Sequence, residues 1–136
     1  MFTRRLRPEH PHEKKILYVE DEPDIQAIAK IALETIGGFT VRICSSGREA
    51  LETIGEFNPD CILLDVMMPG MDGPATLKAL RQLPGFATAP VVFMTAKVQP
   101  QEVAEFKALG ALDMIAKPFN PMTLASTLRQ ILEGRQ

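Results

Sequence analysis

Short apolar runs alternate with stretches of helical period from about Lys15 to the end of the chain. Lys15 to Val19 (Lys-Ile-Leu-Tyr-Val) predicts a strand, and an acidic turn follows from Glu20 to Asp24. From Asp24 a helical period places Ile25, Ile28, Ala32 and Ile36 on one face, and Gly37-Gly38 ends it. Phe39 to Cys44 alternates like a half-exposed edge strand. Ser46 with Glu49 three residues on forms a capping box for a helix running to about Phe57, stopped by Pro59.

Cys61 to Leu64 is apolar on both faces, as a central parallel strand requires. Gly73-Pro74 restarts the chain as a helix that offers Leu77, Ala79 and Leu80 for packing. Pro90 to Met94 is a fourth strand, and Pro100 opens a fourth helix that closes near Gly110. Leu112 to Ala116, interrupted by Asp113, is a fifth strand. Asn120 as N-cap and Pro121 at N1 launch a last helix with Leu124, Leu128, Ile131 and Leu132 on one face.

Alternating strands and helices argue for an α/β doubly wound plan, because every parallel crossover needs its own helix. Right-handed crossovers over a five-stranded parallel sheet predict the order 2-1-3-4-5 with five flanking helices. Ligands of such a sheet bind in the crevice at the carboxyl ends of strands 1 and 3. With 136 residues and 46% hydrophobic content the chain fits one domain, expected over residues 14–134, preceded by a flexible tail over 1–13. His10 and His12 in that tail, separated by Pro11, make a poor metal site.

A net charge of -2 gives no electrostatic reason to expect nucleic acid or an anionic membrane as partner. No apolar run approaches the roughly 20 residues of a membrane span, and the N-terminus lacks a signal peptide's apolar core, so the cytoplasm is expected. Cys44 and Cys61 lie in apolar runs without metal or redox spacing and read as buried free thiols.

The polar residues at strand ends carry the chemistry. Glu20 and Asp21 follow the first strand, Asp65 ends the third, Thr95 ends the fourth and Lys117 the fifth. Any one of Thr95, Lys117 or Glu20 is also readable as a loop cap, a surface lysine or a solvated acid; for Asp65, closing a buried run, such a reading is least plausible. Two carboxylates about 4 Å apart repel by about 4 kcal/mol at an effective dielectric near 20, so three of them call for a cation. An all-oxygen donor set favours a hard ion, and an open, sparse site suits magnesium better than calcium. Met67, Met68 and Met71 read as apolar cover beside the site rather than as sulfur ligands.

Glu20-Asp21, the run from Asp65 through Met67-Met68-Pro69-Gly70-Met71-Asp72 to Gly73, Thr95-Ala96 and Lys117-Pro118-Phe119 together resemble the receiver domain of two-component response regulators, over residues 14 to 134. The resemblance implies a flavodoxin-like fold in which Asp65 takes a phosphoryl group from a histidine kinase or histidine phosphotransferase. It implies that Asp21 and Asp65 ligate magnesium, or manganese in its place, with Glu20 acting through water and the Met67 backbone carbonyl completing the set. Lys117, the Thr95 hydroxyl and the Ala96 backbone N–H would bind phosphoryl oxygens, and the Lys117–Pro118 bond would be cis. Met67 and Lys97 occupy the positions that tune access of attacking water.

The pattern also departs from the family. Receivers often carry Tyr or Phe three residues before the lysine, where this chain has Met114, so a Thr95 and Met114 switch replaces the aromatic one. Leu112 precedes Asp113 where dimerising receivers place paired acids, which points to a monomer or weak dimer. The resemblance implies a protein that catalyses only its own phosphorylation and dephosphorylation, and that docks a target protein through helix 4, strand 5 and helix 5. Alternatives are the receiver portion of a larger regulator with a DNA-binding or enzymatic output domain, and a magnesium-dependent aspartyl phosphatase. The phosphatase pattern wants a second Asp two residues after the first, where Met67 stands.

Overall fold

The computed structural model describes residues 14–134. The expected tail over residues 1–13, with His10 and His12, lies outside the described residues. In chain order the elements are β1 (Lys15–Val19), α1 (Pro23–Lys30), which runs on into a π-helical stretch (Ile31–Ile36), β2 (Thr40–Cys44), α2 (Gly47–Phe57), β3 (Cys61–Asp65), α3 (Gly73–Arg81), β4 (Val91–Thr95), α4 (Pro100–Ala108), β5 (Asp113–Ala116) and α5 (Leu124–Gly134). The five strands form one parallel sheet in the expected order 2-1-3-4-5.

Strand parity divides the core into two layers. Ile16, Tyr18, Leu63, Val92, Met94 and Ile115 face α1 and α5, which contribute Ala29, Ala32, Leu33, Leu124, Leu128 and Leu132. Leu17, Val19, Ile62, Leu64, Phe93 and Met114 face the other side, covered by Ala50 and Ile54 of α2 and Leu77 and Leu80 of α3. Every residue of β3 and β4 is buried, whereas Thr40 and Arg42 on the edge strand β2 are exposed, as their sequence patterns require. Cys44 and Cys61 are both buried, as expected.

Three local expectations are corrected. The first helix buries Ala29, Ala32 and Leu33, while Ile28 and Ile36 are 46% and 47% exposed. Small alanines let the helix approach the sheet closely, and the wider turn of Ile31–Ile36 shifts the face that a 3.6-residue period assigns. Asn120 caps a turn rather than α5 itself: its Oδ1 accepts the Met122 N–H (2.9 Å) and its carbonyl accepts those of Thr123 (3.1 Å) and Leu124 (3.0 Å). The helix begins only at Leu124. Ser46 Oγ accepts the Glu49 N–H (3.1 Å) as expected, but Glu49 Oε1 takes the Ser45 N–H (2.7 Å) rather than that of Ser46.

At the amino edge of the sheet Arg81, the last residue of α3, donates to the carbonyls of Phe86 (3.1 Å), Ala89 (2.7 Å) and Gly110 (2.9 Å). One guanidinium thus ties the segment before β4 to the turn before β5. At the carboxyl edge, Asp72 accepts the Ala75 N–H (2.9 Å) to cap α3, and the Gly73 N–H closes the turn onto the Val66 carbonyl (2.9 Å). A Cβ on Gly73 would lie 2.7 Å from the Asp65 carbonyl oxygen and 2.8 Å from Val66 Cα, both backbone atoms. We therefore expect Gly73→Ala to cost about 2 kcal/mol or more in urea denaturation. Gly55→Ala, on the open face of α2 with no atom within 4 Å, is expected to stabilise by about 0.5–1 kcal/mol.

Candidate functional site

The same parity that builds the α1 and α5 side of the core also aims the site. Continuing each strand by two residues, Glu20 follows Tyr18, Asp65 follows Leu63 and Lys117 follows Ile115 on one side of the sheet. Adjacent strand ends bring them into contact. Lys117 Nζ lies 2.9 Å from Glu20 Oε1 and 3.2 Å from Asp65 Oδ1, and the Lys117–Pro118 bond is cis.

Glu20 is wholly buried and Asp65 is 3% exposed, while Asp21 in the turn is half-buried. One carboxylate oxygen from each of the three lies within 4.8 Å of the others. Glu20 is held on both oxygens: Oε2 accepts the Glu22 N–H (3.1 Å), and Oε1 accepts the Tyr18 hydroxyl (3.3 Å) and Lys117 Nζ. Tyr18 is a site neighbour that sequence reasoning missed. Its only signal was a polar tip inside an apolar run, two residues before an acid and so on the same side of the strand.

Charge compensation in this cluster is incomplete. Burial, and then the Glu20 charge, push the Asp65 carboxyl up to about 6, although Lys117 and the Met67 N–H act to lower it. For Lys117 burial works downward, but the hydrogen bond to Glu20 and the charges of Asp65 and Glu20 outweigh it and raise the ammonium above its ordinary value. The Tyr18 hydroxyl is held far above its ordinary value by burial and by Glu20, so it remains a protonated donor. An all-oxygen cluster with one shared lysine among three carboxylates fits a hard divalent cation.

Thr95 is buried at 3% exposure, and its Oγ1 accepts the Lys97 N–H (3.0 Å); the side chains of Ala96 and Lys97 face solvent. The Thr95 carbonyl takes the Lys117 N–H (2.9 Å), tying the ends of β4 and β5 together. Met114 is 9% exposed in the layer beneath α4, on the side of the sheet opposite the acids. The methionines divide. Met68 is packed into the core and Met71 is half-buried, but Met67 is 74% exposed, so it lies open at the rim instead of covering the site.

Comparison with known proteins shows the family and the fold. The family model for the response regulator receiver domain matches residues 16–129. The transcriptional regulatory protein CpxR of Escherichia coli is 39% identical over 118 residues, which cover 87% of this chain and 49% of that protein. The DNA-binding response regulator MtrA of Mycolicibacterium smegmatis is 35% identical over 123 residues, 90% of this chain and 52% of that one. This chain thus spans about half the length of these curated relatives. The chemotaxis response regulator CheY4 of Vibrio cholerae superposes with a TM-score of 0.81 at 34% identity, over 88% of this chain and 98% of that one. With acids, lysine and threonine gathered at the carboxyl edge of a 2-1-3-4-5 sheet and a family match over most of its length, the chain belongs to the receiver domain family of two-component response regulators.

Proposed function

We propose that Asp65 is the phosphoacceptor of this receiver. The observation that carries the reading is a carboxylate 3% exposed yet reachable from the carboxyl edge, with Lys117 Nζ at 3.2 Å and two further acids beside it. Receiver domains are phosphoacceptors rather than conventional enzymes, and this one is proposed to catalyse only its own phosphorylation and dephosphorylation. An Asp65 oxygen attacks phosphorus of a phosphohistidine on a cytoplasmic histidine kinase or phosphotransferase. The P–N bond breaks, the imidazole nitrogen leaves with the electron pair, and an acyl phosphate remains. Hydrolysis by water returns the carboxylate and inorganic phosphate.

Receiver domains generally bind magnesium at an acidic pocket, and Asp21, Asp65, Glu20 through water and the Met67 carbonyl are proposed to hold magnesium or manganese here. A bound divalent cation would offset the charge of the phosphoryl group and the carboxylates. Lys117 binds one phosphoryl oxygen, and the Thr95 hydroxyl and Ala96 N–H bind others. To do so, the Thr95 hydroxyl turns its proton toward the phosphoryl group, donating there while its lone pairs are still able to accept the Lys97 N–H. Thr95 shares strand parity with Phe93, whose register partner is Met114, so its movement reaches the layer under α4. That helix buries no residue fully and is held by partly buried Val103 and Phe106, with Phe106 edge-on to Phe93 at 5.1 Å. A loosely seated α4 beside β5 and α5 supports this face as the surface that docks a target protein, with no nucleic acid or membrane contacted by the domain and the chain a monomer or weak dimer.

A second reading is favoured by the half-length coverage of CpxR and MtrA: the chain as receiver portion of a larger regulator with an output domain. Intact mass of the protein from its native cells distinguishes it from the stand-alone form.

Incubation with acetyl phosphate and magnesium is expected to add one phosphoryl mass to the wild type and none to Asp65→Asn. A wild type without the added mass overturns the assignment. Met67, 74% exposed, cannot orient water by hydrogen bonding, so Met67→Asn is expected to shorten the phosphoryl lifetime severalfold; equal lifetimes count against that role. Stability carries a further test. Asp65 titrates near 6 in the fold against 3.8 ordinarily, so the folded state binds more protons between these values. Its contribution to stability is therefore complete below the lower value and lost as pH rises through the higher. In chelator at pH 7, Asp65→Asn is expected to raise unfolding free energy by about 1–2 kcal/mol, and the gain should vanish toward pH 4.

A further inference from the structure

Tyr18 is wholly buried, and its hydroxyl reaches Glu20 Oε1 at 3.3 Å because the two side chains share one face of β1 and its extension. Among the described residues the Glu20 carboxylate has three donors, and they differ in permanence. The Glu22 N–H is backbone and stays. Lys117 is shared with Asp65, and the reaction proposed above draws it toward a phosphoryl oxygen. Without Lys117, Oε1 of a carboxylate with no solvent exposure would keep only the Tyr18 hydroxyl.

We infer that Tyr18 is a positioning residue for the metal site, fixing the rotamer of Glu20 so that its remaining lone pairs face Asp21 and Asp65 whether or not Lys117 is engaged. Donors that orient a metal's acidic neighbours typically change affinity by about 10–100-fold, and a bond as long as 3.3 Å belongs below that range. The inference rests on the magnesium reading of the cluster. The chain has one tyrosine and no tryptophan, and that single ring touches the site.

Calorimetric titration of the full chain with magnesium tests it. Tyr18→Phe is expected to weaken Kd about 3- to 10-fold relative to wild type. In a Glu20→Ala background the same substitution should have no effect, because the bond it removes is already gone. Equal Kd for Tyr18→Phe and wild type, or additive losses in the double variant, overturns the role of Tyr18 and leaves phosphoryl acceptance standing. A wild type that binds no magnesium overturns both the metal reading and this one. Should Tyr18→Phe fail to fold, wild-type tyrosine emission decides: it is expected to change with the calorimetric midpoint, and a flat trace overturns the inference.

Discussion

The structure depends on a concentration of negative charge that the fold itself creates. A parallel sheet buried on both faces ends its strands at one edge, and the last residue of β3 and the two residues just beyond β1 are acids. Water, which would ordinarily screen them, is excluded by the layers formed by α1, α5, α2 and α3. Lys117 is drawn between Glu20 and Asp65 by this field, yet burial first and then the Glu20 charge still raise the Asp65 carboxyl to about 6. A site in that condition has affinity for whatever brings positive charge, and reactivity toward an anion only after such charge has arrived.

The sheet also separates chemistry from response. Glu20, Asp65 and Lys117 belong by parity to the α1 and α5 side, whereas Thr95 and Met114 belong to the side beneath α4. The Lys117 N–H bond to the Thr95 carbonyl joins the two populations at the ends of β4 and β5. An event on one side can therefore bias packing on the other without deforming the strands between them, which are the most deeply buried elements of the molecule.

Much of this was legible in the chain. The strands and their order followed from apolar runs spaced by helices, and the cluster followed from acids at strand ends. What escaped had identifiable physical causes. Isoleucine outweighs alanine in any hydrophobic period, so Ile28 and Ile36 concealed Ala29 and Leu33, which are buried beside the expected Ala32; periodicity cannot see that small residues allow closer approach. The π-helical turn changes the period itself. Asn120 and Pro121 have helix-start chemistry, yet form a turn first. Tyr18 was counted as apolar bulk because an apolar run hides a hydroxyl at its tip. Met67 was expected to shelter the site, but whether a residue in a Pro-Gly turn points inward is set by the turn and not by its hydrophobicity.

The Arg81 clamp gives the molecule a polarity that its symmetrical layering conceals. By holding the Phe86, Ala89 and Gly110 carbonyls it fastens the amino ends of β4 and β5 through one side chain, while at the opposite edge the same two strands are joined by the single Lys117 N–H bond to the Thr95 carbonyl. Mechanically, the domain resembles a keyboard hinged at one end. β4 and β5 share a fulcrum at Arg81, and small displacements are left to their far ends, where Thr95 and Lys117 reside.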